Sequence, residues 1–65
     1  MGIMWEMEKA KELLKTMSLD DMAGYMDVEI REQLHKTYAS CNDVYFLAMY
    51  ITEHEAKYGE EFTII

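Results

Sequence analysis

Val44-Tyr45-Phe46-Leu47-Ala48-Met49-Tyr50-Ile51 is the stretch of this chain that decides the fold. Its eight positions carry no charged side chain and fill two helical turns, so the segment has no polar face. A helix apolar all round must be covered on more than one side. Downstream the spacing Val44, Leu47, Ile51, His54, Tyr58 continues one helical stripe, and Gly59 stands where a helix ends in the left-handed conformation that glycine adopts at least cost. Upstream, Ser40 to Asp43 forms a turn in which Ser40 or Asn42 supplies the N-cap.

The cover for this helix must come from the rest of the chain. Asp27 is an N-cap candidate for a helix from Val28 to about Tyr38, with Glu29 at the positive end of its dipole and Ile30, Leu34 and Tyr38 as its buried stripe. Before it, Ser18 opens S-x-x-D with Asp21. Leu19, Met22, Ala23 and Met26 then follow at i, i+3, i+4 and i+7, which predicts a short helix that Gly24 weakens and ends near Tyr25. A first helix is expected from about Glu6 to Met17. It turns Met7, Ala10, Leu13, Leu14 and Met17 to one side and places Glu8 with Lys11, and Glu12 with Lys15, at the favourable i, i+3 spacing. The expectation is an all-α compact bundle of three to four short helices in a single domain over residues 1–65. Phe62 to Ile65 and Gly2 to Trp5 leave open a short terminal strand pair, which is weak in isolation.

Composition narrows the functional classes. With 51% hydrophobic and 12% aromatic residues the chain is too apolar for disorder, and 65 residues bury only about 60% of the unfolded surface, so added cover by a second copy would help. One cysteine, Cys41, excludes an internal disulfide and fits a reducing compartment. No apolar run reaches the roughly 18 residues of a membrane span, and the start lacks the pattern of a signal peptide. The expected location is therefore the cytoplasm.

Charge is unevenly spread. Against 6 bases stand 13 acids, and the blocks 1–17, 18–34, 35–52 and 53–65 carry 0, −4, 0 and −3, which make up the net −7. Such acidity disfavours direct binding of nucleic acid or anionic membranes and favours a basic protein surface. Glu53, Glu55, Glu60 and Glu61 also crowd the negative end of the last helix, where a stability-optimised helix would carry bases; Lys57 offsets Glu53 at i, i+4.

Chemistry finds little support. His35, Cys41 and His54 do not form the close Cys or His pairs of a zinc site, and the Ser18 to Met26 stretch lacks the D-x-D-x-D-G spacing of a calcium loop. Nucleophilic catalysis by Cys41 with His35 needs a cleft, an orienting group and an oxyanion site, and surface carboxylates on short helices do not form an acid and base pair. No enzyme, no cofactor and no metal are expected. His54 lies on the core stripe and reads as a core-edge imidazole, and the seven methionines read as core filling rather than a pliable binding surface.

The segment Tyr25-Met26-Asp27-Val28-Glu29-Ile30-Arg31-Glu32, followed by Leu34-His35, Ser40-Cys41, Phe46-Leu47 and His54-Glu55-Ala56-Lys57-Tyr58-Gly59-Glu60-Glu61-Phe62, resembles short acidic reading frames of phage and prophage origin. The resemblance covers roughly the last 40 residues. It implies a counter-defence inhibitor of the anti-CRISPR kind that covers a basic surface on a host complex, and it carries over no site residue.

The sequence thus predicts a non-enzymatic interaction protein that meets the basic, nucleic-acid-binding surface of a host protein or ribonucleoprotein complex. The expected contact acids are Asp20, Asp21, Asp27, Glu29, Glu32, Glu53, Glu55, Glu60 and Glu61. Tyr25, Tyr45, Tyr50 and Tyr58 are the expected aromatic anchors, since such side chains dominate interface energetics. The alternative is a homodimeric or larger structural or regulatory module, with the apolar fourth helix packed on its symmetry mate, or an antitoxin-like partner-binding protein.

Overall fold

Capping side chains set most of the boundaries. The computed structural model describes residues 4–64, in which α1 (Met4–Leu14), α2 (Leu19–Met22), α3 (Val28–Tyr38) and α4 (Asp43–Tyr58) follow in order, with one 3-10 turn at Ala23–Tyr25. Ser18 Oγ accepts from the Asp21 N–H at 3.2 Å, Asp27 Oδ1 from the Ile30 N–H at 3.1 Å, and Asn42 Oδ1 from the Tyr45 N–H at 2.8 Å. Each of these caps holds an extended backbone and satisfies an amide that the first helical turn leaves free. Of the two candidate caps for α4, Asn42 is the one used. At the other end Gly59 adopts φ 70°, and its N–H closes on the Glu55 carbonyl at 2.8 Å.

α1 departs from its expected limits at both ends. It begins at Met4 and stops at Leu14, because the extended backbone of Ser18 cannot continue a helix and Thr16 Oγ1 donates back to the Leu13 carbonyl at 2.9 Å. The pairs Glu8–Lys11 and Glu12–Lys15 form at 3.5 and 3.1 Å on its outer side. No strand occurs among the described residues. Trp5 sits inside α1 and residues 61–64 run without a ladder partner, while Gly2, Ile3 and Ile65 lie outside the described residues.

The core is built around α4. Phe46, Leu47, Ala48, Tyr50 and Ile51 are buried, with α1 and α3 packed on either side and Met22, Met26 and Phe62 closing the remaining gaps. α1 and α4 each contribute a completely buried alanine, Ala10 and Ala48. Phe62, 2% exposed, plugs the core where the sequence left a terminal strand open. Its ring meets Tyr50 edge-on at 4.9 Å and His54 at 5.3 Å. Within one chain five of the eight apolar positions Val44 to Ile51 are buried, and Val44, Tyr45 and Met49 are half-buried. Of the methionines, Met22 and Met26 are core residues, and Met7, Met17 and Met49 pack against the core.

Candidate functional site

The N-terminus of α3 and the C-terminus of α4 meet at Asp27. Its Oδ1 caps α3, while its Oδ2 accepts from Lys57 Nζ at 2.8 Å and from the Tyr58 hydroxyl. The Asp27 N–H donates to Tyr50 Oη at 2.6 Å, which satisfies the one polar atom of an otherwise fully buried side chain. Lys57 Nζ also reaches Glu29 Oε1 at 3.3 Å. These hydrogen bonds, with Lys57 first and Tyr58 second, hold the Asp27 carboxyl well below the usual carboxylate range. Asp27 in turn raises the Lys57 ammonium and the Tyr58 phenol above their ordinary values, and burial pushes the Tyr50 phenol up.

Lys57 therefore turns away from its expected partner. The i, i+4 pairing with Glu53 is replaced by the tertiary contacts with Asp27 and Glu29, and Glu53 has no cationic partner among the described residues. An open groove of about 610 Å³ runs along this side of the molecule, between α3 and α4. Ile30, Leu34 and Tyr38 supply its apolar floor, Glu29, Gln33 and Thr37 line it from α3, and Glu53 and Lys57 from α4.

The expected acidic set does not form one face. Glu29 and Glu53 share the groove, whereas Glu61 pairs with Lys9 of α1 and belongs to the opposite flank of α4. Asp20 and Asp21 are exposed on α2, Glu32 is exposed on α3 outside the groove lining, Glu55 is half-buried, and Glu60 is exposed with its carbonyl 3.3 Å from His54 Nδ1. Asp27 is committed inside the fold, with its side chain only 12% exposed.

The tyrosines divide too. Tyr25 and Tyr58 are about half exposed, at 51% and 49%, and Tyr45 is half-buried with its ring edge-on to Tyr38 at 5.7 Å. Tyr50 is completely buried and is a core residue rather than an anchor, because its hydroxyl closes the N-cap corner of α3 from inside. Exposed apolar side chains outside the expected set are Val28, 64% exposed, and Trp5, 48% exposed with Lys9 Nζ 5.5 Å from its ring. Val28 was recoverable from periodicity, since it lies off the Ile30, Leu34, Tyr38 stripe. Gln33 and Thr37 carry no signal that separates them from ordinary solvated positions.

No group of three or more His, Cys, Asp or Glu side chains suited to a metal occurs among the described residues, and no helix there is long and apolar enough to cross a membrane. What the geometry offers is a surface of uncompensated carboxylates, half-exposed tyrosines and an open groove between α3 and α4. A family model for the anti-CRISPR protein AcrIC5 matches residues 15–62. The chain belongs to the AcrIC5 family. No curated protein and no solved structure matches it. The match spans α2, α3, α4 and the Phe62 plug, and leaves α1 outside. As an AcrIC5-family protein the chain is a phage-type CRISPR inhibitor, in line with the kind of protein its acidic texture resembles.

Proposed function

We propose that this AcrIC5-family chain inhibits without catalysis, by occupying a basic, nucleic-acid-binding surface of a host CRISPR–Cas complex in the host cytoplasm. The observation that carries this reading is the imbalance left after folding. Asp20, Asp21, Glu32, Glu53, Glu55 and Glu60 have no cationic partner among the described residues, whereas Asp27, Glu29 and Glu61 are paired within the chain. Carboxylates left unpaired on a folded surface attract Lys and Arg on a partner, and that attraction acts over about 10 Å at 0.1 M salt. Tyr25 and Tyr58, amphipathic and half exposed, supply the apolar contact that charge alone lacks. The same acidity makes direct competition for the nucleic acid strand itself unfavourable.

The test is charge reversal at acids that do no work inside the fold. Glu53→Lys, Glu55→Lys and Glu60→Lys in one chain leave the Asp27–Lys57 and Lys9–Glu61 contacts in place. Helicity by circular dichroism is expected to persist while protection of phage from CRISPR interference is lost. A folded triple variant that still protects at wild-type level removes the acidic surface from the mechanism.

A further inference from the structure

We infer that the groove between α3 and α4 seats an arginine side chain presented by the protein partner. This rests on the acidic-surface reading above and narrows it to one site. An arginine has an apolar stem and a planar cationic fork that matches carboxylates and stacks on aromatic rings. The groove offers those features together, with Ile30 and Leu34 along the floor, the Tyr38 ring beside them, and the carboxylates of Glu29 and Glu53 on opposite helices.

Its charge balance selects a cation. The Lys57 ammonium is taken up by Asp27 at 2.8 Å and touches Glu29 only at 3.3 Å, so with Glu53 the four groups together carry two negative charges in excess. Glu29, 87% exposed, is held only by its 3.3 Å contact with Lys57, and Glu53 has no internal cation among the described residues, so both carboxylates can turn toward an incoming guanidinium. A phosphate or a carboxylate would face two like charges here. A lysine would gain the charge contact but not the bidentate or stacked geometry. The size of about 610 Å³ lies within the range of pockets that hold small organic groups.

Two measurements on the full chain test this. In the first, backbone amide signals are followed by NMR during titration with N-acetyl-arginine amide and, separately, with its neutral isostere N-acetyl-citrulline amide. Saturable shifts at Gln33, Thr37 and Glu53 are expected with the arginine compound, at several-fold lower concentration than with citrulline. In the second, Thr37→Trp, which fills the groove, and Glu53→Gln are compared with wild type in phage plating on a host whose CRISPR–Cas system the wild-type protein inhibits. Each is expected to need about tenfold more protein for equal protection, whereas Lys11→Trp, which sets the same ring on the outer side of α1, is expected to match wild type. Groove signals that respond alike to both amides, or a folded Thr37→Trp variant that protects at wild-type level, overturn the arginine seat. If the triple reversal of Glu53, Glu55 and Glu60 abolishes protection while Thr37→Trp does not, the seat fails alone. If neither change matters, the acidic-surface mechanism fails with it.

Discussion

The two halves of α4 are held by different forces. From Val44 to Ile51 the helix is fixed by burial, with five of its side chains in the core; from Thr52 to Tyr58 it is fixed by polar contacts that cross to α3. Burial is non-directional and scales with apolar area, so the first half depends on how completely its neighbours fill the core rather than on particular polar atoms. Hydrogen bonds and ion pairs are directional, so the second half depends on a few named atoms around Asp27. The apolar half builds the scaffold, and the polar half decides which carboxylates remain free at the surface.

The largest expected effect comes from breaking the apolar half. Leu47 is completely buried, and Leu47→Ala is expected to cost about 2 to 5 kcal/mol through lost transfer energy and the cavity left behind. At about 0.05 to 0.15 kcal/mol per residue a 65-residue domain holds only about 3 to 10 kcal/mol, so chemical denaturation should show this variant with a much lower midpoint at 25 °C. Tyr50→Phe tests where the halves join. It keeps the ring but leaves the Asp27 N–H without its acceptor, for an expected loss of about 1 to 3 kcal/mol by urea denaturation. An unchanged midpoint would mean that the hydroxyl contributes only its bulk.

Gly59→Ala is a smaller perturbation. A Cβ there would meet no atom within 4 Å, so the expected cost of about 1 to 2 kcal/mol is that of the left-handed backbone alone, read as a lower thermal midpoint. The last prediction concerns the pH profile. The Asp27 pKa is depressed in the folded chain, so its contribution is present above the ordinary carboxylate range, near 3.9, and is lost as pH falls through and below it. Asp27→Asn keeps an oxygen for the Ile30 cap but no charge for Lys57, and should flatten the acid limb of a stability-against-pH curve. On the alkaline side the Tyr50 and Tyr58 phenols have raised values, so their contribution is present below about pH 10 and is lost as pH rises beyond it. Tyr58→Phe should therefore soften the alkaline limb.

The same division explains what could be read in the sequence. Local chemistry was legible. Ser18, Asp27 and Gly59 act at helix ends as their types and spacings predict, and the stripe Ile30, Leu34, Tyr38 faces inward, because caps and periodicity involve residues within four positions of one another. Long-range choices were not. Lys57 had Glu53 one turn away, yet Asp27, 30 residues distant, offers a carboxylate already fixed by its capping bond and so holds the ammonium more firmly. Phe62 carried the signal of a strand because β propensity records fit to an apolar surface, and a core opening satisfies that as well as a sheet does. Phe62, Met22 and Met26 close over α4, and Tyr50 passes from expected anchor to core. For the candidate surface, sequence identified the acids but not their division, since which carboxylates find a cation is decided only when α1 and α3 dock on α4.

The central claim is that the carboxylates left uncompensated by folding form the inhibitory surface. It is tested most directly by association and dissociation rates of the protein with its CRISPR–Cas target, measured by surface-based interferometry from 50 to 500 mM salt. The account predicts an association rate that falls by an order of magnitude or more across that range while the dissociation rate changes little, because steering between opposite charges is screened and short-range packing is not. An association rate indifferent to salt would contradict it, and would shift the binding surface to the exposed apolar side chains Trp5, Tyr25, Val28 and Tyr58.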